Sequence, residues 1–355
     1  MSRRNNNSRR GNPNNKRLNF IVAILAFILV FIVAKNMLFK GNKNKVGNSG
    51  NGNNGKQTVV DNTAPVLNLD SEKTIIAVGQ SYQIKATAND DVDGDISSKI
   101  TASNIDTSKE GEYEVTLSVV DNAGNKSEAT QKVIVREELS DGLPVLMYHF
   151  FYDNDKYKKK DSNWLNIKDF EAQLSYMTEN DFYFPTWNEV NDYVEGKIKL
   201  PSKSVVLTVD DGDESFFELA VPVMQKYKVP ATSFVVAEWY GWRYDANLQY
   251  VVWESHSYAM HESGANGKGR MVNWSYDQIV EDLNTSSQLL GNANVFCYPF
   301  GHYNDTAIKA LKDTNYLMAF TVEGGRVKPN ANKYTLPRVR VADGNSLEHF
   351  KKSIN

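Results

Sequence analysis

Residues 137–355 alternate short apolar runs with longer segments of helical spacing, and this alternation restricts their fold more than any other feature of the chain. Strand candidates run over 143–148, 204–209, 231–237, 295–298, 317–322 and 334–341. Between them the spacing predicts helices over 167–180, where Phe170, Leu174 and Met177 share one face, and over 216–227, 276–290 and 307–312. Such a repeat closes on a largely parallel sheet, and the number of strands suits a (β/α) barrel. In barrels, reactive side chains sit at the C-terminal ends of the strands.

One strand candidate ends in Asp210-Asp211-Gly212. Adjacent carboxylates at a strand end repel each other, and folding alone does not call for them. They make sense if one holds a cation and the other handles a proton. The chain has only five histidines, and two of them, His256 and His261, lie five positions apart. On a regular helix those two would sit about 140° apart around the axis, so a shared ion requires a loop there. Asp211, His256 and His261 then give three donors with open positions left over, the arrangement of a catalytic metal centre. Asp210, left free of metal, is suited to take a proton from water. The plainer reading of the acids is a calcium loop or a helix start shared with Asp213 and Glu214.

Upstream, residues 63–136 show period-two alternation, as in Tyr113-Glu114-Val115-Thr116-Leu117-Ser118-Val119. Turn signals at Asp93-Gly94, Gly111 and Asn122-Ala123-Gly124-Asn125 separate the runs. This predicts a small antiparallel sandwich. Its acidic run from Asn89 to Asp95 offers oxygen donors for calcium, and reads more simply as a solvated turn.

Residues 40–62 are mostly Gly, Asn and Lys, the composition of a flexible tether. Before them, residues 18–39 are long enough to span a bilayer, which takes about 20 residues, and Phe20 to Ala34 holds no charge or amide. Residues 1–17 carry six cations and no acid, so a net charge of −3 leaves −9 on the remainder. That head would suit nucleic acid if it stood alone. Directly before an apolar span it instead sets orientation, with the N-terminus in the cytoplasm and no nucleic-acid partner. Val33-Ala34-Lys35 is a poor cleavage site, so the span is expected to stay as an anchor. The lone Cys297 excludes an internal disulfide framework.

Leu207-Thr208-Val209-Asp210-Asp211-Gly212 resembles the first motif of the NodB-homology polysaccharide deacetylases (carbohydrate esterase family four). Pro144-Val145-Leu146-Met147-Tyr148-His149, Val229-Pro230-Ala231-Thr232-Ser233-Phe234 and Tyr298-Pro299-Phe300-Gly301 carry the same likeness. The resemblance implies a distorted (β/α) barrel, a divalent metal and hydrolysis of N-acetyl groups on amino-sugar polymers. By position it implies Asp210 as base and Asp211, His256 and His261 as ligands, with Zn2+ first and Co2+ or Ni2+ suited to the same donors. It also puts Tyr298, Pro299 and Phe300 on the substrate side, with the Tyr298 backbone amide at the oxyanion. The sandwich segment, with Asp61-Asn62-Thr63-Ala64-Pro65 and Asp121-Asn122-Ala123-Gly124-Asn125, resembles bacterial immunoglobulin-like surface domains and is expected to be a spacer.

Three departures from the family pattern stand out. Four residues separate the histidines instead of three, which is similar to the branch that deacetylates poly-N-acetylglucosamine in biofilm matrices. No arginine precedes Tyr298, and Arg338 is the replacement by position. The C-terminal histidine motif that supplies the general acid is absent; His302 and His349 do not sit in it, and His149 is expected to pack under the site. Trp239, Trp242, Trp253 and Trp274 read either as a sugar groove or as packing.

The organisation expected is multidomain: a cytoplasmic tail (1–17), a membrane helix (18–39), a tether (40–62), an all-β immunoglobulin-like sandwich (63–136) and a deacetylase barrel (140–355) outside the cell. The first expected substrate is poly-N-acetylglucosamine and the second peptidoglycan. The rival readings are a glycan-binding protein with a decayed site and an esterase acting on O-acetyl groups.

Overall fold

The computed structural model describes residues 61–264 and 266–355. The expected tail and membrane helix, and the tether up to residue 60, lie outside the described residues. Among the described residues, no helix is long and apolar enough to cross a membrane.

The sandwich comprises β1 (Val66–Leu69), β2 (Lys73–Ala77), β3 (Ala86–Asp90), β4 (Gly94–Asp95), β5 (Thr101–Ala102), β6 (Gly111–Val120) and β7 (Lys126–Arg136). One sheet has the order β2-β7-β6-β5 and the other β1-β3-β4. The alternation read from the sequence sets the burial. Val115, Leu117 and Val119 of β6 and Val133 and Val135 of β7 pack on Ala88, Ile96 and Ile100, while Glu114, Thr116 and Lys132 face out. The sandwich is not wholly antiparallel: β2 runs parallel to β7, with Lys73 opposite Lys132. No hairpin joins those two strands, so nothing forces the antiparallel sense.

The second half continues with β8 (Val145–Tyr148), β9 (Phe150–Tyr152), β10 (Trp164–Asn166), β11 (Val206–Asp211), β12 (Ala231–Val235), β13 (Val251–Ser255), β14 (Val295–Cys297), β15 (Met318–Gly324) and β16 (Leu336–Arg340). Strands β11 to β16 and then β8 close a barrel in which every pairing is parallel. That is seven strands where a regular barrel has eight. It is thin at the β13–β14 seam, where only Ser255 and Phe296 are in register. Every residue of β11 and β12 is buried, which is why these strands read as continuous runs rather than alternating ones.

Helix Ile167–Glu179 buries Phe170, Leu174 and Met177 as its spacing predicts, with Asn166 as N-cap. Helix Tyr276–Leu289 starts at a capping box of Ser275 and Gln278. The predicted single helix over 216–227 is instead a π-turn (Phe216–Ala220) followed by an α-helix (Val221–Tyr227). Pro222 has no N–H to continue the ladder across that junction. Elements of this half that go unread in the sequence include β9, β10, β13 and helices Trp187–Val194, Ala237–Tyr240 and Leu347–Ile354.

The sandwich is tied to the barrel by backbone and charge. Leu139 N–H donates to Leu200 O at 2.8 Å and Ser202 N–H to Glu137 O at 2.7 Å. Arg136 donates to Asp181 O at 2.7 Å, and the Lys73 ammonium pairs with the Asp181 carboxylate.

Candidate metal and acid–base site at the barrel mouth

Asp210 and Asp211 are the last two residues of β11, at the end where barrel chemistry is expected. The chain turns there through two left-handed residues, Asp211 (φ 75°) and Gly212 (φ 76°). A Cβ on Gly212 would lie 3.1 Å from a Val235 methyl, so both space and conformation call for glycine.

Asp210 is buried and gripped from inside the barrel. Arg338, equally buried on β16, donates to Asp210 Oδ1 and Oδ2, both at 2.7 Å. The guanidinium is fixed in turn by Thr208 Oγ1 (3.0 Å), Thr321 O (3.0 Å) and Cys297 Sγ (2.9 Å). Burial opposes ionisation of Asp210, but the charge and hydrogen bonds of Arg338 outweigh it and hold the carboxyl well below its usual range. The pairing keeps Asp210 ionised at some cost in basicity.

Asp211 has the opposite environment. Burial raises its pKa to about 6, and the charge of Asp210 adds to the rise. Its Oδ1 is buried and makes no hydrogen bond. Two ring nitrogens face that oxygen, His256 Nε2 at 3.5 Å and His261 Nε2 at 3.3 Å. The three donor atoms lie within 4.8 Å of one another. His256 Nδ1 donates to Cys297 O at 2.8 Å, which leaves Nε2 with its lone pair free. Burial lowers His256 to about 3 and depresses His261 too, so both rings are neutral. An orphaned carboxylate oxygen faced by two neutral imidazole nitrogens fits a divalent cation.

His256 follows β13 directly, and the residues up to His261 form the loop that their spacing requires. Ser257 takes φ 80°. The Asp282 carboxylate, on helix Tyr276–Leu289, accepts from Tyr258 N–H and Ala259 N–H, both at 2.7 Å. Ser257 Oγ accepts from Met260 N–H at 3.1 Å, and Arg270 donates to Ala259 O at 2.8 Å. The loop between the two imidazoles is therefore held at nearly every peptide.

A second group, Asp210, His256 and Cys297, also lies within 4.8 Å. It is a poor cation site: Asp210 is saturated by Arg338, His256 Nδ1 is bound to a carbonyl, and burial pushes the Cys297 thiol well up.

Other expectations divide. The structure brings His149 to the site edge, with Nε2 3.8 Å from Asp210 Oδ2 and a partly exposed ring, rather than beneath it. Phe300 is 39% exposed, and its ring centroid lies 4.3 Å from that of His261. Pro299 is buried beside it. The Tyr298 amide is not free for an oxyanion, because it donates to Phe320 O at 3.0 Å, and the Tyr298 ring is core. Trp239 and Trp242 are exposed, and Trp239 packs edge-on to His261. Trp253 is buried, and Trp274 packs against the core. Cys297 and Asp282 are participants that sequence reasoning missed. A carboxylate on the helix face shared by Ile279, Leu283 and Ser286 was the available signal for Asp282.

The family pattern described as Polysaccharide deacetylase matches residues 197–319, and that described as Bacterial surface protein, Ig-like domain matches residues 68–135. The chain is 30% identical over 222 residues to the poly-beta-1,6-N-acetyl-D-glucosamine N-deacetylase of Staphylococcus aureus, covering 57% of this chain and 75% of that protein. It is 29% identical over 195 residues to the protein of the same name from Staphylococcus epidermidis, covering 50% and 67%. Among solved structures, IcaB from Ammonifex degensii aligns with a TM-score of 0.50 at 25% identity, over 60% of this chain and 96% of that one. A Streptococcus pyogenes deacetylase in complex with acetate aligns with a TM-score of 0.53 at 22% identity, over 61% and 100%, and shares the fold.

Proposed function

This chain belongs to the polysaccharide deacetylase family, and from that premise we propose that it removes N-acetyl groups from a β-linked N-acetylglucosamine polymer, with poly-N-acetylglucosamine as substrate. It is a hydrolase acting on non-peptide carbon–nitrogen bonds. The observation that carries the reading is the bare Asp211 Oδ1 faced by two imidazole nitrogens, beside a carboxylate locked on arginine. The names of the Staphylococcus relatives support the choice of glycan.

Asp211, His256 and His261 would hold the cation, Zn2+ by donor chemistry. When bound, it supplies Lewis acidity toward the acetyl carbonyl and the attacking water. Asp210 accepts the proton that this water loses. Arg338 keeps Asp210 ionised and fixes the plane of its carboxylate. His149, outside the donor set and facing Asp210, gives a proton to the departing sugar nitrogen. The C–N bond breaks, water oxygen joins the acetyl carbon, and acetate and a free amine leave. Phe300 and Trp239 present aromatic surface beside the donors for a sugar ring.

The N-terminal span would anchor the protein with its catalytic part outside the cell. Residues 63–136 would act as a spacer between the anchor and a catalytic domain over 140–355. Acetate release from poly-N-acetylglucosamine, compared with peptidoglycan and O-acetylated xylan, tests the substrate. Release from peptidoglycan alone would replace the glycan, and none from any of them, together with absence of bound metal, would leave a glycan-binding protein.

A further inference from the structure

The sandwich carries a second cluster of acids, separate from the one in the barrel. Asp61 precedes β1, Asp90 ends β3, and Asp121 directly follows β6. One carboxylate oxygen from each lies within 4.8 Å of the other two. The ends of β3 and β6 and the segment before β1 meet at the Asn122–Asn125 turn, where β6 passes to β7. This is the end of β7 opposite Arg136, roughly 33 Å away at about 3.3 Å per residue.

Asp90 and Asp121 are 8% and 6% exposed, so this is no solvated surface patch. Asp90 Oδ2 accepts from Val92 N–H and Asp93 N–H, both at 2.9 Å. Asp90 Oδ1 is buried and makes no hydrogen bond. Asp121 is fixed by Asn125, whose backbone N–H and side-chain amide each donate at 2.8 Å. Asp61 Oδ1 accepts from Thr63 N–H at 3.0 Å, and Asp61 O accepts from the Asn125 side chain at 3.3 Å. Among the described residues, no lysine or arginine pairs with any of the three. Lys99, at this end of the sandwich, instead bonds Asn122 Oδ1 at 2.7 Å and approaches Asp93 at 3.9 Å.

Three converging carboxylates, two of them buried and one with an orphaned oxygen, lack a positive charge. The donors are all oxygen, which excludes the soft-metal chemistry of thiolates and selects a hard cation. Oxygens that share one Ca2+ at about 2.4 Å lie no more than about 4.8 Å apart. We propose that Asp61, Asp90 and Asp121 form a Ca2+ site at the outer end of the immunoglobulin-like sandwich. The ion pins the chain entering β1 to the ends of β3 and β6. It acts on the stability of the sandwich and not on the reaction in the barrel, so it stands apart from the deacetylase reading.

The test is calorimetric titration of CaCl2 into the full-length protein after EGTA treatment, with thermal unfolding in parallel. Saturable binding with Kd in the range of roughly 10⁻⁵–10⁻³ M is expected, with a rise in Tm. Asp90→Asn and Asp121→Asn should each weaken it at least about tenfold. Asp211→Asn, in the barrel, should leave Ca2+ affinity unchanged. If Asp90→Asn does not fold, Asp61→Asn, on the half-exposed segment before β1, reads the same site. The proposal is overturned by absence of saturable binding up to about 10 mM Ca2+. It is equally overturned by wild-type affinity in the sandwich variants, or by loss of binding in Asp211→Asn instead.

Discussion

The barrel and the sandwich each gather carboxylates where strands end, and their surroundings differ in kind. In the barrel, one acid is matched by a buried guanidinium and the other faces two neutral imidazoles. In the sandwich, three acids converge with only amides as donors. The mixed nitrogen and oxygen set suits a Lewis-acidic ion with room for a reacting water. The all-oxygen set suits an ion that only holds chain segments together. The lesson is that a pair of acids in a sequence says little until the charges beside it are known.

The largest effect that bears on this contrast is chelation. Stripping metal from the barrel should abolish acetate release, and Zn2+ rather than Ca2+ should restore it. Restoration by Ca2+ alone would erase the distinction between the two clusters. Next, Asp210→Asn should lower kcat about 10²–10⁴-fold while metal content stays unchanged. A variant of near wild-type rate would remove Asp210 from proton transfer. Arg338→Met should cost about 3–5 kcal/mol of stability, because it leaves Asp210 buried without its partner. Arg338→Lys keeps the charge but loses the two-pronged grip, so it should refold and lose kcat roughly 10-fold. Equal stability of wild type and Arg338→Met in a denaturant titration would show that this ion pair does not hold the barrel.

A smaller effect is expected at Asp282. Asp282→Ala unpairs the amides of Tyr258 and Ala259, at a cost of about 1–3 kcal/mol. Metal affinity, followed by competition with a chromophoric chelator, should fall roughly 10–100-fold through the loosened histidine loop. The smallest effect separates the two regions outright. Asp121→Asn should leave kcat/KM for the glycan within about twofold of wild type, since the site lies at the end of β7 opposite the Arg136 contact with Asp181, roughly 33 Å along the strand. A larger loss would mean that the sandwich couples to catalysis.

The sequence made the strand–acid–glycine end of β11 legible because a buried strand is a run of apolar residues and its two carboxylates interrupt that run. It made β6 and β7 legible because one face of each meets water, so Val115, Leu117 and Val119 alternate with polar residues. It hid β13, whose run Val251-Val252-Trp253 is short and sits in a polar stretch, and with it the reason His256 arrives where it does. Arg338 could be placed only by analogy, since its contact with Asp210 spans 128 positions. The Tyr298 amide was misread because no local pattern reveals that the β14–β15 ladder uses it. His149 was read as packing under the site, and its partial exposure depends on the turn from β8 into β9, which no local pattern reveals.

Cys297, the chain's one thiol, is wholly buried and touches both Asp210 and Arg338. A small alkylating reagent can reach that sulfur only in molecules whose β14 has swung away from its neighbours. Labelling kinetics under native conditions therefore time the breathing of the barrel around Asp210 and Arg338, without an added probe. The same seclusion spares the sulfur from oxidants for as long as the barrel stays closed.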